Sequence, residues 1–155
     1  MYLARRLIRM ASEDIGLADH NALMICNAAK EAYHMLGTPE GELALAEAVV
    51  YLAVAPKSNA LYKAFGEAKR TAKEGGSLPP PRHILNAPTK LMKGEGYGAG
   101  YEYDHDAENA FSGQNYFPDA MPRQEFYQPT ERGYEKRIAE RMAEWERLRR
   151  ERSGR

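Results

Sequence analysis

The segment from Glu40 to Ala55 constrains this chain more than any other. Leu43, Ala44, Leu45, Ala46, Ala48, Val49, Val50, Leu52, Ala53 and Val54 leave it almost no polar side. A helix that is apolar nearly all round has to be surrounded, by protein or by lipid. Its longest unbroken apolar run, Ala48 to Ala55, falls far short of the roughly 20 residues that a membrane span needs. Protein is therefore the expected surrounding. Thr38 predicts a cap, Pro39 fits the first helical position where its missing N–H costs nothing, and Pro56 stops the run. The reading is a central helix, buried by its own domain or by a partner subunit, with Leu45, Val49 and Leu52 as candidate subunit-interface residues.

The rest of the chain supplies further helices. Leu3, Leu7, Met10 or Ala11, and Asp14 or Ile15 follow a helical period from Tyr2 to Ile15, with Arg9 and Glu13 one turn apart. Gly16 ends that helix. Asp19 caps a second, His20 to Leu36, with Cys26 on its apolar face as a small buried hydrophobe. Ser58 caps a fourth, Asn59 to Lys73, with Leu61, Ala64, Phe65 and Ala68 expected inside and Lys63, Lys69, Arg70 and Lys73 outside. Leu78 to Pro81 must be extended, and Pro88 to Lys93 reads as one or two helical turns.

Composition changes at Gly94. From there to about Pro129 the chain is rich in glycine, tyrosine, phenylalanine and proline without a steady period, yet too aromatic for a disordered linker. An ordered, irregular arm is expected, with Tyr97, Tyr101 and Tyr103 as docking candidates. Tyr134, Ile138, Met142, Trp145 and Leu148 or Arg149 then predict a C-terminal amphipathic helix. The expected fold is all-α: a compact bundle of about four to six helices, an aromatic glycine- and proline-rich arm, and a C-terminal helix. Along the chain this divides as 1–93, 94–129 and 130–155.

Catalytic chemistry is hard to find. No P-loop is present, since no GxxxxGK[ST] run supplies both glycine amides and the lysine that phosphates require. Gly94 to Ala99 fits a dinucleotide pattern but follows a helix instead of a strand, so it reads as a hinge. Asp104, His105, Asp106 and Glu108 form the one candidate metal loop, the basis of a remote metal-dependent-enzyme reading. Among the other histidines, His34 is expected partly buried and His20 exposed near a helix start. Ser12 beside Glu13 and Asp14 reads as a local back-bond. Lys plus Arg and Asp plus Glu both number 22, so no global field announces a polyanion. Local cation groups remain: Arg5, Arg6 and Arg9; Lys63, Lys69 and Arg70; and the C-terminal arginines through Arg155. They support direct DNA contact as an alternative reading. The lone cysteine excludes an internal disulfide and points to a reducing compartment.

Four strings carry a resemblance. Arg5 to Asp19, Val50 to Asn59, Leu85 to Lys93 and Gly96 to Tyr103 resemble, in order and spacing, the signature runs of the replication-associated recombination AAA+ ATPases. This is the RarA/MgsA family, related to the Werner-helicase-interacting protein. The structural-motif residues are Ser12, Glu13, Asp14, Gly16, Pro56, Lys57, Ser58, Asn86 and Pro88. Arg82-His83-Ile84 departs slightly from the family's His-Leu pair.

The resemblance implies a helical region that assembles subunits, generally as homotetramers, in a clamp-loader-like DNA-dependent ATPase active in replication-fork maintenance, recombination and repair. It also implies a missing N-terminal module holding ATP and magnesium. Single-strand DNA-binding protein and DNA are the implied partners, the nucleoid-associated cytoplasm the implied location. No catalytic, cofactor or metal site and no membrane association are expected of this chain itself. Its abrupt helical start at Met1 is expected of a fragment.

Overall fold

A computed structural model describes residues 1–153. Arg155, counted above among the terminal cations, lies outside the described residues. Among the described residues there are six α-helices and no strand, as expected: α1 (Tyr2–Met10), α2 (Asn21–Leu36), α3 (Glu40–Val54), α4 (Ala60–Gly75), α5 (Lys90–Gly94) and α6 (Glu135–Ser153). The described residues group into two compact units. The first is Met1–Lys69 with Phe126–Glu140; the second is Arg70–Glu125 with the described part of Arg141–Arg155.

In the first unit, Ala4, Leu7, Ala11 and Ile15 recur at helical spacing and are all buried. The stripe survives a change of winding, because Ala11–Ile15 form one wider π-helical turn at the end of α1. Ser12 Oγ donates back to the Ile8 carbonyl at 3.4 Å. Leu3, expected inside, is exposed: the buried stripe starts one residue later, at Ala4. In α2 the buried line is Ala22, Cys26 and Ala29, all small, which lets α3 lie close. Burial pushes the Cys26 thiol pKa up, so it stays a neutral apolar filler. His34 is exposed, not partly buried, since it stands off that line. Gly41 at the start of α3 meets Tyr33 so closely that a Cβ there would lie 2.7 Å from the Tyr33 Cα. The α2–α3 pair thus takes its spacing from small residues.

α4 departs from its sequence reading. Ala60 and Ala64 are buried, but Leu61 and Phe65 are exposed and only Ala68 is half-buried. Ala64 and Ala68 face inward as expected, but the helix turns its bulky Leu61 and Phe65 outward.

The second unit is built around irregular chain. After the extended prolines, Arg82–Ile84 make a single turn, and α5 follows with Thr89 as its cap, Thr89 Oγ1 accepting from the Met92 N–H at 3.2 Å. Two further single turns, Asp104–Asp106 and Glu108–Ala110, interrupt the arm. The Phe111 ring stacks on Trp145 of α6 (centroids 6.1 Å apart, planes 8° apart), and the Arg149 guanidinium lies 5.2 Å from the Phe111 centroid. Arg149 Nε donates to the Gly113 carbonyl at 3.3 Å, and Arg152 donates to the Ser112 carbonyl and to Glu102. The C-terminal part of α6 thereby fastens the arm.

Candidate functional site

The strings that look most chemical in sequence converge, in the first unit, on structure. The Ser58 N–H donates to the Asp14 carbonyl at 2.8 Å, and Ser58 Oγ accepts from the Ala60 N–H at 3.2 Å, starting α4. The Tyr51 hydroxyl donates to Asp19 Oδ2 at 2.6 Å while Asp19 Oδ1 accepts from the Asn21 N–H, starting α2. Lys57 Nζ donates to the carbonyls of Leu52 (2.8 Å), Ala53 (3.3 Å) and Ala55, closing the exposed carbonyl end of α3. Gly16 holds φ +53 beside the Ser58 carbonyl, a left-handed conformation suited to glycine. Arg9 pairs with Glu13 at 2.6 Å. Pro56 packs at the place where Gly133 arrives: a Cβ on Gly133 would lie 2.7 Å from Pro56 Cγ and 2.2 Å from the Ala18 carbonyl oxygen.

This knot recruits a segment that the sequence did not flag. The Tyr134 N–H donates to the Ala18 carbonyl at 2.8 Å, and Arg132 donates to the Lys57 carbonyl at 3.1 Å. Glu135, fully buried at the start of α6, accepts from the Tyr127 hydroxyl (2.6 Å), the Thr130 N–H (2.8 Å) and the Thr130 hydroxyl (2.6 Å). Burial by itself would raise the Glu135 pKa, but the bonds from Thr130, Tyr127 and Ser58 outweigh it and hold the carboxyl below the ordinary range. Tyr127 moves the other way: burial, then its bond to Glu135, raise the phenol. Asp14, Gly16, Pro56, Lys57 and Ser58 join helices here, while Ser12 and Glu13 bond within their own helix.

The interface candidates on α3 separate. Leu45 and Leu52 are buried in the chain's own core at 6% and 1% exposure, so they do not offer a surface; Val49 is 42% exposed. The outward apolar residues are instead Leu43 (77% exposed), Val50 (64%) and Val54 (79%), with Ala46 between them. Their spacing puts them on one stripe, opposite the buried stripe Gly41, Leu45, Ala48 and Leu52. On α2, Met24, Met35 and Leu36 are exposed too.

The cation candidates are surface residues. Arg5, Arg6 and Lys63 are exposed, Arg9 is engaged by Glu13, Lys69 lies 5.3 Å from the centroid of the exposed Phe65 ring, and Arg70 is exposed on α4. In the second unit, Tyr97 is half-buried while Tyr101 and Tyr103 are exposed, as are Asn86 and Pro88. The metal loop does not gather. Asp104 Oδ1 accepts from the Ser112 N–H at 2.8 Å, and hydrogen bonding to Ser112 holds its pKa down; the His105 ring lies 5.0 Å from that of Tyr103. Among the described residues no three His, Cys, Asp or Glu side chains are placed to hold an ion. No described helix is long and apolar enough to cross a membrane.

Comparison with known proteins fits this arrangement. The family model described as "MgsA AAA+ ATPase C terminal" matches residues 1–146. A protein of Coxiella burnetii named "Replication-associated recombination protein A" is 50% identical over 148 residues, covering 95% of this chain and 34% of that protein. Its Escherichia coli (strain K12) namesake is 48% identical over 144 residues, 92% of this chain and 32% of that protein. "ATPase WRNIP1" of Dictyostelium discoideum is 41% identical over 133 residues, 83% of this chain and 15% of that protein. The chain spans about a third of the length of the first two relatives. With a family match over residues 1–146 and half of its aligned residues shared with the Coxiella burnetii protein, this chain belongs to the MgsA AAA+ ATPase C-terminal family.

Proposed function

We propose that this chain is an assembly domain, bringing copies of itself together, as a homotetramer, within a larger clamp-loader-like ATPase. The observation that carries the reading is the outer stripe of α3. Leu43, Val50 and Val54 remain exposed after the domain has formed its own core. An exposed apolar stripe on a helix with almost no polar face marks a surface that protein covers. A second copy is the fitting cover, because Met24, Met35 and Leu36 of α2 are exposed and apolar as well, and symmetric association buries like on like. In this reading ATP and magnesium belong to an N-terminal module of the longer protein, this chain itself catalyses nothing, and the whole acts with DNA and single-strand DNA-binding protein in replication-fork maintenance, recombination and repair at the nucleoid. Light scattering across a concentration series tests the assembly. A mass above 17.5 kDa that grows with concentration is expected; a strict monomer at tens of micromolar refutes it for this domain.

A second reading, direct DNA contact, is favoured by one observation on the first unit. Tyr62 and Phe65 stand exposed on α4 among Lys63 and Lys69. Rings interleaved with cations suit a single strand. Binding that weakens steeply with salt supports it, and no binding at low salt removes it.

A further inference from the structure

We propose that the cleft of the second unit lined by His83, Asn86, Tyr101 and Tyr116 binds one unpaired nucleobase. The cleft has a volume of about 570 Å³, within the range of small-ligand sites. One wall is the segment Leu85–Ala87, the other the glycine-rich turn through Gly98, and the Gly98 N–H ties the two by donating to the Arg82 carbonyl at 2.9 Å. Gly98 sits at φ +71 with an added Cβ reaching 3.4 Å from the Leu85 carbonyl oxygen, so the chain there is bare backbone that a ligand can approach.

Three features give the cleft its chemistry. Tyr101 and Tyr116 present half-exposed rings (50% and 46%), flat apolar faces of the kind on which bases stack. The Asn86 amide has no hydrogen-bond partner among the described residues, leaving a donor and an acceptor side by side, the pair that matches a base edge with two bonds. The His83 ring lies 6.0 Å from that of Tyr116, and its Nε2 is out of reach of water and without a partner. A buried polar atom left unbonded calls for an explanation, and a ligand that moves the Tyr116 ring aside supplies it. A peptide side chain such as phenylalanine would satisfy the rings but leave Asn86 and His83 unanswered. No carboxylate lines the cleft, and α5, which joins its two walls, carries the exposed Lys90 and Lys93. That charge suits a phosphate-linked base. The base can belong to a single strand or to a free nucleotide; the inference is independent of the assembly reading.

The test uses the whole 155-residue chain. Fluorescence anisotropy follows short labelled deoxythymidine and deoxyadenosine oligonucleotides, with a duplex and free AMP as competitors. Tyr101→Ala is expected to weaken oligonucleotide binding about ten-fold or more, and Tyr101→Phe to keep it within about two-fold, since only the ring is needed. Asn86→Ala should shrink the difference between the two base types. Competition by AMP at millimolar levels that is itself lost in Tyr101→Ala assigns the site to a free nucleotide; failure of AMP alone assigns it to a strand. Equal binding by wild type and Tyr101→Ala, with circular dichroism showing both folded, overturns the proposal. So does a duplex competing as well as a single strand. Ultraviolet crosslinking of a bromouracil oligonucleotide gives a reading independent of affinity: crosslinks are expected on Tyr101 or Tyr116, and crosslinks confined to α1 and α4 contradict the site.

Discussion

Replacing Glu135 by alanine removes a fully buried charge on which one end of the first unit depends. Three donors lose their acceptor at once, the Tyr127 hydroxyl, the Thr130 N–H and the Thr130 hydroxyl, and Ser58 loses its bond to the carboxyl as well. A hydrogen bond to a charged group contributes about 1.5–3 kcal/mol, and donors stranded in a buried place cannot turn to water. The three are not additive, so the expected loss is about 3–5 kcal/mol for Glu135→Ala. Glu135→Gln keeps one acceptor oxygen but turns an amide donor toward other donors, for an expected loss of about 2 kcal/mol. Urea unfolding followed by circular dichroism, at one fixed protein concentration, reads this directly. With a slope of about 2 kcal/mol per molar, the midpoint should fall by about 1.5–2.5 M for the alanine variant.

The pH dependence has a definite sign. The folded-state pKa lies below the ordinary 4.5, so the stabilisation is fully present above that value and is lost as pH falls through the lower folded one. The gap between wild type and Glu135→Gln should therefore be flat from neutrality to about pH 5 and shrink on further acidification. A midpoint shift under about 0.3 M for Glu135→Ala, or a gap that widens in acid, would refute the reasoning.

Gly133→Ala should destabilise by about 2–4 kcal/mol, since its Cβ would fall 2.2 Å from the Ala18 carbonyl oxygen at φ +54. An alanine variant with the wild-type melting temperature contradicts that packing. Tyr51→Phe deletes one bond, 2.6 Å to Asp19, and should cost about 1–2 kcal/mol in the same urea assay; no measurable change would mean that Asp19 finds its partner elsewhere. In the cleft of the second unit, Tyr101→Ala should cost oligonucleotide affinity while leaving the unfolding midpoint in place, because its ring is half-exposed.

Legibility in the sequence followed the kind of signal each element carries. Some helix starts were readable from a cap: Asp19 before α2 and Ser58 before α4 bond as their types suggest, but Thr38 does not cap α3, which starts at Glu40 behind Pro39 while the Thr38 hydroxyl donates to Glu42. The failures are failures of direction. Periodicity places Leu61 and Phe65 on the same face as Ala64, but does not say that Ala60 and Ala64, whose small size permits close approach, are the ones packed against the core. On α3 nearly every position is apolar, so the pattern had no phase, and the buried stripe of Leu45 and Leu52 was indistinguishable from the outer stripe of Leu43, Val50 and Val54. Glu135 reads as one glutamate among many in a charged helix. What singles it out is that 126–140 returns to pack with 1–69, a long-range fact with no local period. The Asp104 loop carries ligand types side by side, but which partners they take is set by the fold: Asp104 accepts from Ser112 and the His105 ring lies against Tyr103.

The central claim is that the outer stripe of α3 is a surface between copies. Sedimentation velocity on the wild-type chain and on a Leu43→Glu, Val50→Glu double variant, at tens of micromolar, tests it most directly. The wild type is expected to sediment as an assembly near four times 17.5 kDa. The variant is expected to sediment as a 17.5 kDa monomer with unchanged helicity, because both side chains stand outside the core. A monomeric wild type, or a variant that still assembles, would contradict it.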